Sequence, residues 1–230
     1  MTDSTAGPDN ASDDDASEQE VILEVACNVS DKLEEAVGLG EEDLLRVALL
    51  TLERVHISES VEISVLVTDD EGLHELNRDF RGKDETTDVL SFPLLAVPLV
   101  EAPADELWRQ SEDDSDDDAA QAEQWPDSVD HGAASLTDSD DEDDTSDASD
   151  DGNDDYDEGE EPLHLGDIAI SRDAVVRQAA AAGHSVSWEC AYLFAHGLLH
   201  LMGYDDSTDA GYRAMVAHQE AVLTEAHITR

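Results

Sequence analysis

The chain has 230 residues, with 60 acidic side chains against 11 basic ones and a formal net charge of −49. The excess is local: residues 1–20 hold 7 acids and no base, residues 101–161 hold 27 acids and one base, Arg109, and the other 149 residues carry only −16. That leaves one ordinary domain with acidic sequence added, and excludes both a single large globule and a wholly unstructured chain.

In chain order, residues 1–20 read as a disordered acidic tail. They have neither the basic nor the apolar region of a secretory signal. A strand is expected from Val21, in VILEVACNV. Residues 41–55 place Leu44, Leu45, Val47, Ala48, Leu49, Leu52 and Val55 on one helical face, with acids in the first turn. The alternation of Val61, Ile63, Val65 and Val67 predicts a second strand. Asp69 then caps a short helix through about Asn77, and a third strand runs from Asp88 to about Leu94.

Residues 101–161 are a low-complexity run of Asp, Ser, Glu and Ala, too polar to offset chain entropy and expected to be disordered. Trp108 and Trp125 are its only bulky aromatics before Tyr156. Closure entropy grows only logarithmically with loop length, so a connection between neighbouring strands is the natural host. Order resumes with a strand in PLHLGDIAIS, followed by a helix over 172–182 that ends at Gly183. A longer helix is capped by Ser187 and stopped by Gly203, and a last one runs from about Asp209 to Ala226. The expected fold is α+β: a small mixed sheet of about four strands with about five helices, formed by residues 21–100 and 162–230. No apolar run reaches the ~18–20 residues of a membrane span. Cys27 and Cys190 make no disulfide framework, so a cytoplasmic setting with reduced thiols is expected.

The chemically informative stretch is His196-Gly197-Leu198-Leu199-His200-Leu201-Met202-Gly203-Tyr204-Asp205-Asp206. Two histidines four apart on a helix leave the same face one turn apart, which suits a shared metal ion. Gly203 lets the chain turn back, so that Asp206, ten residues after His196, can approach from a third side, with Asp205 as the rival ligand. The spacing matches the metzincin zinc site. The glutamate that serves metalloproteases as general base is replaced by Gly197, which weakens a protease reading. A helix that merely carries two polar residues would fit the spacing as well.

HGLLHLMGYDD resembles H-G-x-L-H-L-x-G-Y-D-H, the signature of the YbeY-type endoribonucleases, a family of rRNA maturation factors. ELNRDFRGKDETTDVLSFPL at 75–94 and LGDIAIS at 165–171 are similar to two further blocks of that family, in the same order. The usual third histidine ligand is here Asp206. The resemblance implies a metal-dependent, single-strand-specific endoribonuclease acting in small-subunit rRNA maturation at the 3′ end and in ribosome quality control. It implies one Zn²⁺ held by His196, His200 and Asp206, with Mn²⁺ or another divalent metal open to a site with a carboxylate. Such an ion can lower the pKa of its water toward ~7 and polarise a phosphoryl oxygen. The family carries a functional arginine at the position of Arg81, which makes Arg81 the candidate for catalysis and phosphate binding. Lys83 is the candidate for a second phosphate contact. The bland role for Arg81 is a salt bridge to Asp84 or Asp88.

Expected partners are single-stranded RNA, rRNA, and the ribosome or small-subunit proteins, with no membrane. The competing readings are a non-catalytic assembly factor with a vestigial metal site and a minimal zinc peptidase. The acidity is awkward for an RNA binder; Arg81, Lys83, Arg172 and Arg177 are the candidates for a local positive lining. His164 is a possible general acid, and the other histidines show no ligand spacing.

Overall fold

The computed structural model describes residues 19–108 and 161–230. The acidic tail and the acidic insertion expected from composition lie outside the described residues, except at their edges. The element order is β1 (Val21–Cys27), α1 (Leu33–Val37), α2 (Glu41–Arg54), β2 (Val61–Thr68), α3 (Asp70–Arg81), β3 (Val89–Pro93), β4 (Leu163–Ser171), α4 (Arg172–Ala182), α5 (Val186–Met202) and α6 (Asp209–Glu225). The sheet is mixed, in the order β1-β2-β4-β3. β1 and β4 flank β2 in parallel, and β3 lies antiparallel on β4 as an edge strand.

Each element follows from its local sequence. In β2, Val61, Ile63, Val65 and Val67 are buried while the residues between them are half-buried, as a period of two requires. In α2, Leu44, Val47, Ala48 and Leu52 are buried, and Glu41, Glu42 and Asp43 stand in the first turn, where the helix dipole favours them. α5 is apolar almost all round. Phe194, Leu198, Leu199, Leu201 and Met202 are fully enclosed, each contributing about 1.5–3 kcal/mol by burial. This helix packs against β3, β4, α2, α4 and α6. Leu73 of α3 packs with Leu90 and Ala169 in a separate small cluster.

Four expectations change. The sequence suggested about five helices, and the described residues form six: α1 is only five residues long, below any readable periodicity, and closes on Gly38 at φ 71°. α3 runs one turn beyond Asn77 and ends at Gly82, φ 64°, which places Arg81 in the last helical turn rather than in a loop. The cap of α5 is Ser185, not Ser187; the Ser185 hydroxyl accepts from the Trp188 N–H. The boundary at residue 101 is early, because residues 101–108 form a strap across the end of α5. Trp108 N–H donates to Gly203 O at 2.9 Å, Leu107 bridges to Tyr204, and Asp205 N–H donates to Glu106 O at 2.9 Å. The strap is held by its backbone, which composition does not report. Among the described residues no helix is long and apolar enough to cross a membrane.

Candidate metal centre and its arginine

His196 and His200 stand in the last two turns of α5. Their Nε2 atoms are 3.0 Å apart, and the rings are nearly perpendicular, at 88°. Gly203 ends the helix at φ 120°, and a Cβ there would lie 2.5 Å from Pro98 Cβ, so the turn needs glycine for both conformation and room. The returning loop brings Asp206 Oδ2 to 3.8 Å from His196 Nε2 and Oδ1 to 3.9 Å from His200 Nε2. Asp205 does not compete: its carboxylate accepts from the backbone and hydroxyl of Ser207, at 3.0 and 2.6 Å, and so builds the turn.

The three side chains can hold one ion, since their donor atoms all lie within 4.8 Å of one another. Ligand atoms bound at about 2.0–2.2 Å in a tetrahedral set are separated by about 3.3–3.6 Å, and the distances here bracket that value. The proton inventory agrees. His200 Nδ1 lies 2.9 Å from Tyr204 O, which can only accept, so Nδ1 carries the hydrogen and Nε2 is bare in the neutral ring. Burial, followed by the neighbouring His200, pushes the His196 pKa down, with Asp206 and the Gln219 side chain acting in the opposite sense. That favours a neutral, ligand-competent imidazole. Gln219 is buried on α6 and donates to Tyr192 O at 3.1 Å. Asp206 is 43% exposed against 21% and 25% for the histidines, so the group opens to solvent on the aspartate side.

Arg81, in the last turn of α3, meets β3. Its Nη2 donates to Ser91 O, and its guanidinium lies 5.8 Å from the Phe92 ring centroid. Ser91 in turn packs on α5: a Cβ at Gly197 would sit 3.0 Å from Ser91 Oγ and 2.8 Å from Ile168 Cγ2. One strand residue therefore touches the arginine with its carbonyl and the histidine-bearing helix with its hydroxyl. The salt bridges considered for Arg81 do not form. Asp84 pairs with His74 at 2.8 Å, and Asp88 accepts from Val89 N–H and Gln178.

The wider positive lining is not there. Arg177 is spent on Asp70 and Arg172 on Asp173. Among the described residues Arg81 and Lys83 make no ion pair, and Lys83 is exposed just past Gly82. His164 lies at the start of β4, 4.0 Å from Asp167, and does not join the three-residue group. Sequence reasoning gave no role to Ser91, the Tyr204 carbonyl or Gln219. Ser91 meets Arg81, and Tyr204 meets His200, through a backbone carbonyl, which no motif shows, and Gln219 is a lone buried amide on an otherwise ordinary helix.

Comparison with known proteins places the chain in a family. The family model described as "Endoribonuclease YbeY" matches residues 32–227. Proteins named Endoribonuclease YbeY are similar over most of their length. The one from Roseiflexus castenholzii is 34% identical over 80% of this chain and 82% of its own. The one from Moorella thermoacetica is 34% identical over 82% and 90%, and that from Chloroflexus aurantiacus 31% identical over 84% and 91%. The chain belongs to the YbeY endoribonuclease family.

Proposed function

We propose that this chain is a metal-dependent endoribonuclease that hydrolyses phosphodiesters in single-stranded RNA. Its proposed setting is the cytoplasm, where it acts on ribosome-associated rRNA, in maturation of the 3′ end of small-subunit rRNA and in ribosome quality control. The observation that carries the reading is the position of Ser91, between the one unpaired arginine of α3 and the helix that bears the two histidines. A cation for a phosphate and a donor set for a metal thus flank one strand residue.

His196, His200 and Asp206 would hold the ion, and when bound it supplies Lewis-acid polarisation and a more acidic water. Two nitrogens suit Zn²⁺; the carboxylate leaves Mn²⁺ open. The remaining work falls to the protein's own groups. Ser91 O fixes one edge of the Arg81 guanidinium, so its other N–H groups are presented already oriented to a phosphoryl oxygen pair. That orientation is what makes charge stabilisation effective as the transition state forms. Lys83 extends the phosphate contact along the strand of RNA.

Two features weigh against the peptidase reading. Gly197 stands where a general-base glutamate would be needed, and the close approach of Ile168 and Ser91 leaves no space for any side chain there. A peptide held by strand addition would also need the outer edge of β3. That edge is already occupied: Val89 N–H by Asp88, Val89 O by Thr87, Ser91 O by Arg81, and Pro93 has no N–H. Against a vestigial site stands the intact convergence of three donors. The test is metal analysis of the purified protein beside cleavage of an RNA and a peptide, before and after chelation. Expected is about one divalent metal per chain, and RNA cleavage that chelation abolishes and metal restores. RNA cleavage untouched by chelation, or cleavage of the peptide alone, overturns the reading.

A further inference from the structure

The buried stripe of α3 runs through Leu73, Leu76 and Asn77, and at helical spacing its next member is Phe80. Leu73 is fully buried, yet Phe80 is 56% exposed. The reason is geometric. The last stripe residue of α3 lies beside β3, the edge strand of the described sheet. There the Phe80 ring meets Phe92 edge-on, with centroids 5.7 Å apart and planes at 69°. The same Phe92 ring has the Arg81 guanidinium 5.8 Å from its centroid. Phe80, Phe92 and Arg81 therefore form one continuous patch, with aromatic surface open to solvent next to a cation that has no carboxylate partner among the described residues.

A nucleotide offers a flat π face and a phosphate a few bonds apart, which is the pairing this patch presents. We propose that Phe80 is a base-stacking platform that holds an unpaired nucleotide of the RNA substrate while Arg81 holds its phosphate. The inference rests on the endoribonuclease reading and adds to it a residue that selects substrate. In a duplex each base face is already stacked on its neighbours; a single strand has faces to give. Stacking is tolerant of sequence, because every base has a π face. The platform thus gives preference for single strands without preference for a motif, and it supplies attraction where the domain's net charge does not.

The experiment compares the full chain with Phe80→Ala and Phe80→Trp, using a short single-stranded RNA and the same RNA with abasic positions. Phe80→Ala should weaken RNA binding and raise KM by about 5- to 100-fold. Metal content and kcat should stay near wild type, and Phe80→Trp should restore affinity. On abasic RNA the wild type should fall to the level of Phe80→Ala. Unchanged KM and affinity in Phe80→Ala, or an equal loss on intact and abasic RNA, overturns the platform. So does a Phe80→Ala protein with normal RNA kinetics that fails to bind a protein partner, since the ring then serves a protein contact. Failure of the underlying reading looks different: a metal-loaded wild type that neither binds nor cuts RNA removes the endoribonuclease and the platform together.

Discussion

Both ends of α5 hold a histidine beside a carboxylate, and the two arrangements have opposite consequences. Near the start, His184 Nε2 meets Glu189 Oε2 at 3.1 Å, and both side chains are 91% buried, being 9% exposed. Trp188 covers the imidazole edge-on at 4.4 Å. The pair is closed: Nε2 is spent on the carboxylate, and Nδ1 has no hydrogen-bond partner behind it. At the far end, His200 is tied through Nδ1 to Tyr204 O and presents Nε2 outward, toward His196 Nε2 and the Asp206 carboxylate. Both ends offer imidazole and carboxylate. What separates a structural pair from a metal-binding group is which nitrogen is anchored and whether the free lone pairs converge.

The sharpest way to break the comparison is to remove one histidine from each end. His196→Ala should abolish stoichiometric metal binding and, with it, RNA cleavage, whereas His184→Ala should keep about one metal per chain. Elemental analysis of the two purified variants decides, and metal retained in His196→Ala would remove the assignment. Next in size is Arg81→Ala. It should lower the cleavage rate by about 10²–10³-fold, or about 2.7–4 kcal/mol, with metal content and melting temperature unchanged. An unchanged rate would return Arg81 to a purely structural role on Ser91. Gly197→Ala should follow. A methyl 2.8 Å from Ile168 Cγ2 forces β3 and β4 off the helix, and overpacking of this kind costs about 1–3 kcal/mol. Because Ser91 moves with β3, the variant should lose RNase activity beyond what its thermal shift explains. A stable, fully active Gly197→Ala would show that the approach of strand and helix is not what sets the site.

The sequence made one end of α5 legible and not the other, for a physical reason. A helix converts a spacing of four into adjacency, so His196 and His200 could be paired without a structure. Asp206 is preferred to Asp205 by its place in the motif, but what occupies Asp205, a turn closed on Ser207, could not be read. His184 and Glu189 are five apart across the start of α5, a spacing that signals nothing. In the fold, β2 was visible as a period of 2 and α2 as a helical face, while the other strands were read from short apolar, β-prone runs between polar segments. The five residues of α1 were too few to show a period. The end of α3 was missed because its last turn, with Phe80 exposed, adds no buried apolar residue to the pattern, and the strap at 101–108 because acidic side chains hid a backbone that pairs with Tyr204 and Asp205.

The smallest predicted effect tests whether the pair at the start of α5 stabilises the fold or merely closes it. Burial pushes the Glu189 carboxyl above its ordinary value of 4.5, and the opposing pull of His184 does not cancel this. A carboxyl with a raised folded pKa binds more protons folded than unfolded in the window from 4.5 up to its folded value. Stability from this group is therefore full below that window and falls as pH rises through it. Glu189→Gln keeps the shape and cannot ionise. Its unfolding midpoint in urea should match wild type near pH 4 and move ahead of it toward pH 7, by less than the Gly197→Ala effect, with metal content unaffected. This is the behaviour of a buried ion pair whose desolvation outweighs its attraction. If Glu189→Gln instead loses ground as pH rises, the His184–Glu189 pair is a net stabiliser, and the two ends of α5 differ in function but not in energetic sign.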